Sequence, residues 1–370
     1  VENFYIVGDK KFNNIILAID NAARNNSEVK FCLFDSAFDN ADWSREPSLS
    51  WDQLLDIRVN QIASMNKKII LAFSGGTDSL TIYHTMIRNG IIPDYIHLRT
   101  RPKEQFEQFY FFDPAISFLK NEKQQFKFEI ILTHDSSQTV DSVYDSDHWF
   151  LKDGARLKFT TGLWSSIFEE IDQNLPNIPN QEYVYVTGLE KPYCKYRNGS
   201  FYSSQYDSDW NQIQDDRIEP FFISPALPEL HIKQSYMVAQ YAINESQKLE
   251  KPVEFFKDFR DTTKIDYYKY ATIGCGRSGD IANSALQKYK NINSALRFTN
   301  NTLSSIDYAK STPPVLLQEG IASNSNFAKR FLNGLKILSS DFILLDKHNS
   351  YNIKQFKSKE YKLSIDFQPR

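Results

Sequence analysis

Between Lys67 and Gly90 the chain reads KKIILAFSGGTDSLTIYHTMIRNG. An apolar run ends on Ala72 and Phe73, and Ser74-Gly75-Gly76-Thr77-Asp78-Ser79 follows before a helical pattern begins. These residue types in this order suit the cradling of an anion. Two glycines let the backbone turn sharply and bring N–H groups close to a phosphate with no Cβ in the way, and the helix N-terminus adds partial positive charge. Ser74 and Ser79 offer hydroxyl donors. Asp78 would repel a phosphate directly, so its natural task is to hold Mg²⁺ that bridges phosphates. The same residues also allow a plainer account, in which Asp78 or Ser79 caps the helix and Gly75-Gly76 turns the chain. No Lys follows the glycines, so the string is neither GxxxxGKS/T nor GxGxxG.

Other residues with chemical potential surround this stretch. HLRTRP places Leu98 and Arg99, then Arg101, just past a second apolar strand, where an arginine pairs bidentately with phosphate or carboxylate, or serves as ordinary surface charge. Lys191 and Arg197 follow a fourth strand and could neutralise pyrophosphate as it leaves. His148 has Asp145 and Asp147 beside it, a run that suits a hydrated loop better than a metal. In YYKYATIGCGRSGD, Arg277 could lower the pKa of Cys275; an inert thiol in a glycine turn is the plainer account.

The elements that must position these residues alternate. WDQLLDIRVNQIASM carries helical spacing with Ser50 as N-cap. The quoted strand is followed by a helix ended by Gly90, then DYIHLRT as a strand, FEQFYFFDPAISFLKN as a helix broken near Pro114, and FKFEIILTHD as a third strand. LKFTTGLWSSIFEEIDQ is helical and EYVYVTG is the fourth strand. Strand and helix in alternation predict an α/β fold, a parallel sheet covered on both faces, with the ligand site at the carboxyl ends of its strands. Before it, FYIV, IILAI and FCLF read as a small edge structure, and 39–50 as a polar connector. After it come a hairpin or long loop turning at Asn198-Gly199, a Pro-initiated helix, a mostly helical C-terminal region and a small β appendage. Boundaries fall at 1–50, an N-terminal extension, 51–245, the main domain, and 246–370, a helical and β substrate region.

With 370 residues the chain has material for two domains or one large one. A net charge of -3 removes the broad attraction for nucleic-acid backbones, although a local basic groove is compatible with it. Three cysteines, Cys32, Cys194 and Cys275, lie far apart and support neither a disulfide framework nor structural zinc. No membrane span or secretion signal is legible, so a cytoplasmic location is expected. Val1 in place of methionine suggests that at least one residue precedes it.

SGGxDS after an apolar strand is the PP-loop of the ATP-pyrophosphatase superfamily, the adenine nucleotide alpha hydrolase-like enzymes, and AFSGGTDS resembles it at every defining position. The resemblance implies a HUP-like fold, ATP and Mg²⁺, a grip on the β- and γ-phosphates, and an adenylated intermediate that a nitrogen or sulfur nucleophile displaces. It implies nucleotide contacts from Ala72, Phe73, Ser74, Gly75, Gly76, Thr77, Asp78, Ser79, Leu98, Arg99, Thr187 and Gly188, with Asp78 on the metal. Asparagine-synthetase-like members are the nearest likeness, since WDQLLDIRVNQI echoes the helix before their PP-loop and YVYVTG their later strand; Trp51 to Ala242 is covered. Those members also carry a glutaminase domain, whereas this chain reaches its loop within eighty residues of Val1. Ammonia or an amine is therefore expected from outside, a partner protein being one source. Where the family has Gly-x-Gly-x-Asp-Glu, this chain has Gly188-Leu189-Glu190-Lys191-Pro192-Tyr193. Glu190 could replace the missing Asp, as could Asp207, Asp209, Asp215 or Asp216, unless these are a solvated loop. The resulting expectation is an AMP- and pyrophosphate-forming ligase that adenylates a substrate carboxylate or carbonyl oxygen and forms an amide or other C–N bond. The alternatives are a PP-loop enzyme that makes a nitrile or thiolated nucleobase, with Cys275 as sulfur carrier, and a non-catalytic ATP-binding subunit. A small-molecule or nucleotide acceptor and a homo-oligomer are compatible with each.

Overall fold

A computed structural model describes residues 3–100, 113–134, 137–152, 167–175, 182–188, 192–205, 207, 215–249, 315–341 and 356–365. The chain opens with β1 (Asn3–Val7), β2 (Lys10–Phe12), α1 (Ile15–Asn25) and β3 (Val29–Leu33), which form an antiparallel sheet of order β2-β1-β3. IILAI is thus the start of a helix. Asn14 caps it, its side-chain oxygen accepting from the amides of Ile16 and Leu17 at 2.8 and 3.1 Å. A short α2 (Asp35–Asp39) leads into the connector, where Trp43 is buried and stacks on Tyr361 at 4.3 Å.

The main sheet follows. Its elements are α3 (Trp51–Ala63), β4 (Lys68–Ala72), α4 (Thr77–Arg88), β5 (Tyr95–Thr100), α5 (Asp113–Glu122), β6 (Glu129–His134), α6 (Ser137–Val143), α7 (Ile167–Asn174) and β7 (Tyr183–Thr187). After the hairpin strands β8 (Tyr193–Arg197) and β9 (Ser200–Ser204) comes β10 (Ile218–Pro220). Five strands pair in parallel in the order β10-β7-β4-β5-β6. From β4 the chain moves through β5 to β6 in one direction, then returns past β4 to β7. Right-handed crossovers put the helices of the outward leg on one face and those of the return on the other. Accordingly α3, α4 and α5 bury Leu54, Leu55, Leu80, Tyr83 and Leu119 against Leu71, Phe73, Ile96, Leu98 and Val186. On the opposite face α7 buries Ile167, Phe168 and Ile171 against Ile70, Tyr183 and Tyr185. The α/β expectation is met, with a parallel sheet flanked by helices. β10 adds a fifth strand that the sequence hid, since Ile-Glu-Pro is short and proline suits only an edge position.

Local signals explain the helix ends. Ser50 and Gln53 form a capping box at α3. Beyond α4, Gly90 takes φ +71°, and the amides of Gly90 and Ile91 donate to the carbonyls of Ile87 and Met86, closing the helix as a Schellman motif. Asn198 and Gly199, at φ 49° and 76°, make the tight turn of the β8–β9 hairpin.

The chain ends through α8 (Pro228–Leu249), α9 (Val315–Ala322), α10 (Asn326–Asp341) and β11 (Tyr361–Leu363), and β11 completes an antiparallel sheet β11-β9-β8. Boundaries at 50 and 245 do not divide the cores. Tyr5, Ile16, Phe31, Tyr196, Phe201, Ile232, Phe331 and Leu363 belong to one core, so the N-terminal and C-terminal segments pack together. Residue 245 falls inside α8, and the β appendage is one strand of a shared sheet. Among the described residues no helix is long and apolar enough to cross a membrane.

Arg58 on α3 is wholly buried. Its guanidinium donates to the carbonyls of Phe221 and Pro220 at 3.2 and 3.0 Å, to Gln61, and to the carboxylate of Glu219. Burial lowers its pKa and Glu219 opposes that shift, so the charge persists because partners surround it. Removing the guanidinium strands those acceptors. Arg58→Ala is therefore expected to lower unfolding stability by about 3 kcal/mol in urea titration; a loss under about 1 kcal/mol would show that the clamp holds nothing.

Candidate functional site

The strand order reverses between β4 and β7, and the crevice outside their carboxyl ends is where open α/β sheets hold ligands. The Ser74–Ser79 string sits there. Phe73 extends the ladder one step beyond β4 through its amide, which donates to the His97 carbonyl at 2.8 Å, while its ring stacks on Phe118 in the core. Gly75 then takes φ +64°, a left-handed conformation that costs an L-residue with a side chain about 1–2 kcal/mol. The amide of Gly76 donates to Ser74 Oγ at 3.3 Å, and α4 starts on Gly76, which offers no side chain to cap it. α1 and α3 by contrast carry side-chain caps. The first turn of α4 thus presents its amides at the sheet's carboxyl end with no capping side chain.

Ser79 braces the loop from below. Its hydroxyl is buried, accepts from the Ser74 amide at 3.3 Å and donates to the Gly76 carbonyl at 3.1 Å. Ser79 thus has an internal role, its hydroxyl within hydrogen-bond distance of both the Ser74 amide and the Gly76 carbonyl. Ser74 is exposed, and Gly75, Gly76 and Asp78 are half-buried. Thr77 contributes helical backbone.

Across the crevice β7 ends in Thr187 and Gly188, both buried. A Cβ at position 188 would lie 2.9 Å from Ile82 Cδ1, 3.2 Å from Asp78 Cβ and 3.3 Å from the Asp78 carbonyl carbon. Glycine is required here for close approach rather than for backbone conformation. The Thr187 carbonyl accepts from the Phe221 amide at 2.9 Å, which fixes this strand end against the segment after β10.

On the α7 face, pairing register aligns Ala72 with His97, Ile70 with Tyr185, and Arg99 with Thr133. His97 is buried between two hydroxyls, with Tyr185 Oη 2.8 Å from Nδ1 and Thr133 Oγ1 2.8 Å from Nε2. Arg99 follows two residues later on the same strand face, half-buried. Leu98 points the other way into the core, so only its backbone can meet a ligand.

The remaining expected site residues scatter. Arg197 pairs with Glu360 at 2.7 Å and lies over the Tyr202 ring, so its charge is committed within the β8–β9–β11 sheet and not to a leaving pyrophosphate. Asp215 pairs with Arg217, whose guanidinium also bonds Asp172 at the amino ends of β7 and β10, the wrong end of the sheet for a metal at the loop. Asp216 lies in the turn beside it. Asp207 is buried and accepts from Tyr5 Oη at 2.9 Å in the first core. Asp145 pairs with Lys152, and the His148 ring packs beside Phe150. Glu190, Lys191, Arg101, Asp209, Cys275 and Arg277 lie outside the described residues. Among the described residues no group of three or more His, Cys, Asp and Glu could hold a metal. His97, Tyr185 and Thr133 escaped the sequence reading: each sits in an ordinary strand, and only register brings them together.

Two measurements follow from this geometry. Gly188→Ala overpacks the contact with Asp78 and should cost about 1–3 kcal/mol in chemical denaturation, with the loop amides 74–79 exchanging faster than in the unaltered chain. Unchanged stability and exchange would refute the close approach. The second concerns acid. Burial pushes both His97 and the core residue His231 down to about 3, Arg99 adding to the effect at His97. The unfolded chain protonates both near the ordinary histidine value of about 6.5. Their contribution is therefore full above about pH 6.5 and is lost as pH falls toward 3, at up to about 1.4 kcal/mol per pH unit for each histidine. His97→Gln should remove one of the two protons from the slope of stability against pH; an unchanged slope would mean that His97 titrates normally.

Compared with protein-family models the chain matches none, and it likewise matches no curated protein.

Proposed function

We propose that this chain binds ATP with Mg²⁺ at the Ser74–Ser79 loop, splits it between the α- and β-phosphates, and adenylates an oxygen of an acceptor that ammonia or an amine then attacks. The observation that carries the reading is the position of SGGTDS. A left-handed glycine and a helix start without a side-chain cap stand at the strand-order reversal, closed from the other side by Gly188. Backbone amides there suit the β- and γ-phosphates, which then depart together as pyrophosphate. Arg99, at the end of the neighbouring strand, suits a phosphate oxyanion of the bound triphosphate.

The residues fit Mg²⁺ in one respect. Magnesium is held by one or two carboxylates together with phosphate oxygens and water, and Asp78 in the first turn of α4 is one carboxylate beside the loop. The metal would supply charge neutralisation across the phosphates. The chain's own contribution is positioning: loop amides hold the triphosphate and Ser79 keeps the turn in shape. Acceptor oxygen attacks the α-phosphorus, the bond to the bridging oxygen breaks, and pyrophosphate carries that electron pair away. The amine then displaces AMP from the acyl carbon and loses a proton to solvent. Amide formation is the favoured outcome by resemblance of the loop to that of asparagine-synthetase-like ligases.

The test is direct. Purified chain given ATP, Mg²⁺, ammonia and a panel of carboxylic acids should release AMP and pyrophosphate in equal amounts. Asp78→Asn should reduce that release by about 100-fold or more while leaving the fold intact by circular dichroism. ADP and phosphate as products, or turnover insensitive to Asp78→Asn, would overturn the reading. ATP binding without turnover on any acceptor would reduce it to a nucleotide-binding subunit.

A further inference from the structure

Tyr185, His97 and Thr133 form a hydrogen-bonded diagonal beneath the crevice on the α7 face. Tyr185 stands in the row of Ile70, His97 in the row of Ala72, and Thr133 in the row of Arg99, so the line climbs toward the carboxyl ends as it crosses from β7 to β6. Strand β4 lies between β7 and β5, and there Ile70 is the register partner of Tyr185 and Ala72 that of His97. All three members are at least 96 % buried, and both imidazole nitrogens are used, each at 2.8 Å. A neutral imidazole offers one donor and one acceptor, and a hydroxyl can complement either, so the chain is satisfied without charge.

Such a buried polar chain is costly unless it is complete, and an apolar trio would have packed this face more simply. Its location suggests what it does. Two residues on from His97 along the same face is Arg99, and two residues on from Tyr185 is Thr187, the strand end facing the α4 start. Thr133, the far member, is the register partner of Arg99. The chain is the layer immediately below the two polar side chains that β5 and β7 present at the mouth.

We propose that His97 is a positioning residue of this site: with Tyr185 and Thr133 it ties β5, β6 and β7 into one uncharged brace across β4, which fixes Arg99 and Thr187 so that Arg99 meets a phosphate oxyanion of the bound nucleotide. The inference rests on the proposed function and deepens it, because it names the group that governs the phosphate grip from the side opposite the glycine loop. An uncharged brace matters here. An imidazolium at position 97 would set a second positive charge two residues from the Arg99 guanidinium on the same strand face.

The experiment uses titration calorimetry on the full chain with three probes in the presence of Mg²⁺: ATP, inorganic pyrophosphate and adenosine. Tyr185→Phe removes one hydroxyl with little change of shape, and His97→Leu removes both bonds. Each is expected to weaken ATP and pyrophosphate by about tenfold and to leave adenosine within about twofold, since only the phosphate contact is misplaced. The double variant His97→Leu, Arg99→Ala should bind ATP no more weakly than Arg99→Ala alone, because the brace acts through that arginine. Variants that lose stability yet keep all three affinities would overturn the brace, as would additive losses in the double variant. If the unaltered chain shows no ATP affinity, the proposed function falls and takes this inference with it. If it binds ATP and the variants bind equally well, only the inference falls.

Discussion

The closeness of Gly188 to Asp78 is the constraint on which the crevice depends. A parallel sheet that winds outward from β4 and returns to β7 leaves a gap at the reversal, and the depth of that gap is set by how near the end of β7 comes to the first turn of α4. A Cβ added at 188 would lie 2.9 Å from Ile82 Cδ1 and 3.2 Å from Asp78 Cβ, so the end of β7 packs directly on the first turns of α4. The contact is itself supported from a distance. The Arg58 guanidinium holds the Phe221 and Pro220 carbonyls, the Phe221 amide holds the Thr187 carbonyl, and Thr187 precedes Gly188. A buried cation on α3 therefore acts on the site through two strand ends, although it has no path to a ligand.

The two ends of the sheet treat charge differently. At the amino ends of β7 and β10, Arg217 is enclosed by Asp172 and Asp215 and lies over the rings of Phe168 and Tyr183. Hydrogen bonding to Asp215 raises its pKa, and its charge is committed to the two carboxylates. Toward the carboxyl ends, among the described residues, the buried groups are hydroxyls and an imidazole held neutral, with Asp78 and Arg99 half-buried above them. Paired charges at one end and a neutral layer at the other leave the electrostatics of the two ends unlike. The close pairing of Arg217 also explains why Asp215, an acidic residue shortly after the fourth strand, cannot serve the loop.

Much of the main domain was legible because its signals are local. Apolar runs bounded by turns gave four of the five parallel strands, Ser50 and Gly90 marked helix ends by cap chemistry, and Asn198-Gly199 marked a hairpin by its left-handed preference. The glycine loop was legible for the same reason: it is a run of consecutive residues. What escaped depends on partners far away in the chain. β10 is a strand only because Thr187 and its neighbours lie beside it, and α1 hides behind an apolar run that reads equally well as a strand. The Tyr185–His97–Thr133 brace exists only once three registers are known. Composition does not reveal which apolar faces meet across positions 50 and 245, and Tyr361 with Trp43 joins segments more than 300 residues apart.

That joining bears on how the termini reach the site. α8 is one helix of 22 residues, about 33 Å long at 1.5 Å per residue. Leu230 near its start packs with the core above the parallel sheet, while Val238, Ala239 and Ala242 further along pack with the N-terminal and C-terminal segments. Its first turn follows β10 after a few residues that include Phe221 and Phe222, and Phe222 stacks on Trp51 of α3. The segment from the end of β10 to the near end of this helix carries the carbonyls held by Arg58 and the amide that holds Thr187. The first and last segments of the chain thus connect to the crevice through α8 and the segment that leads from β10 into it.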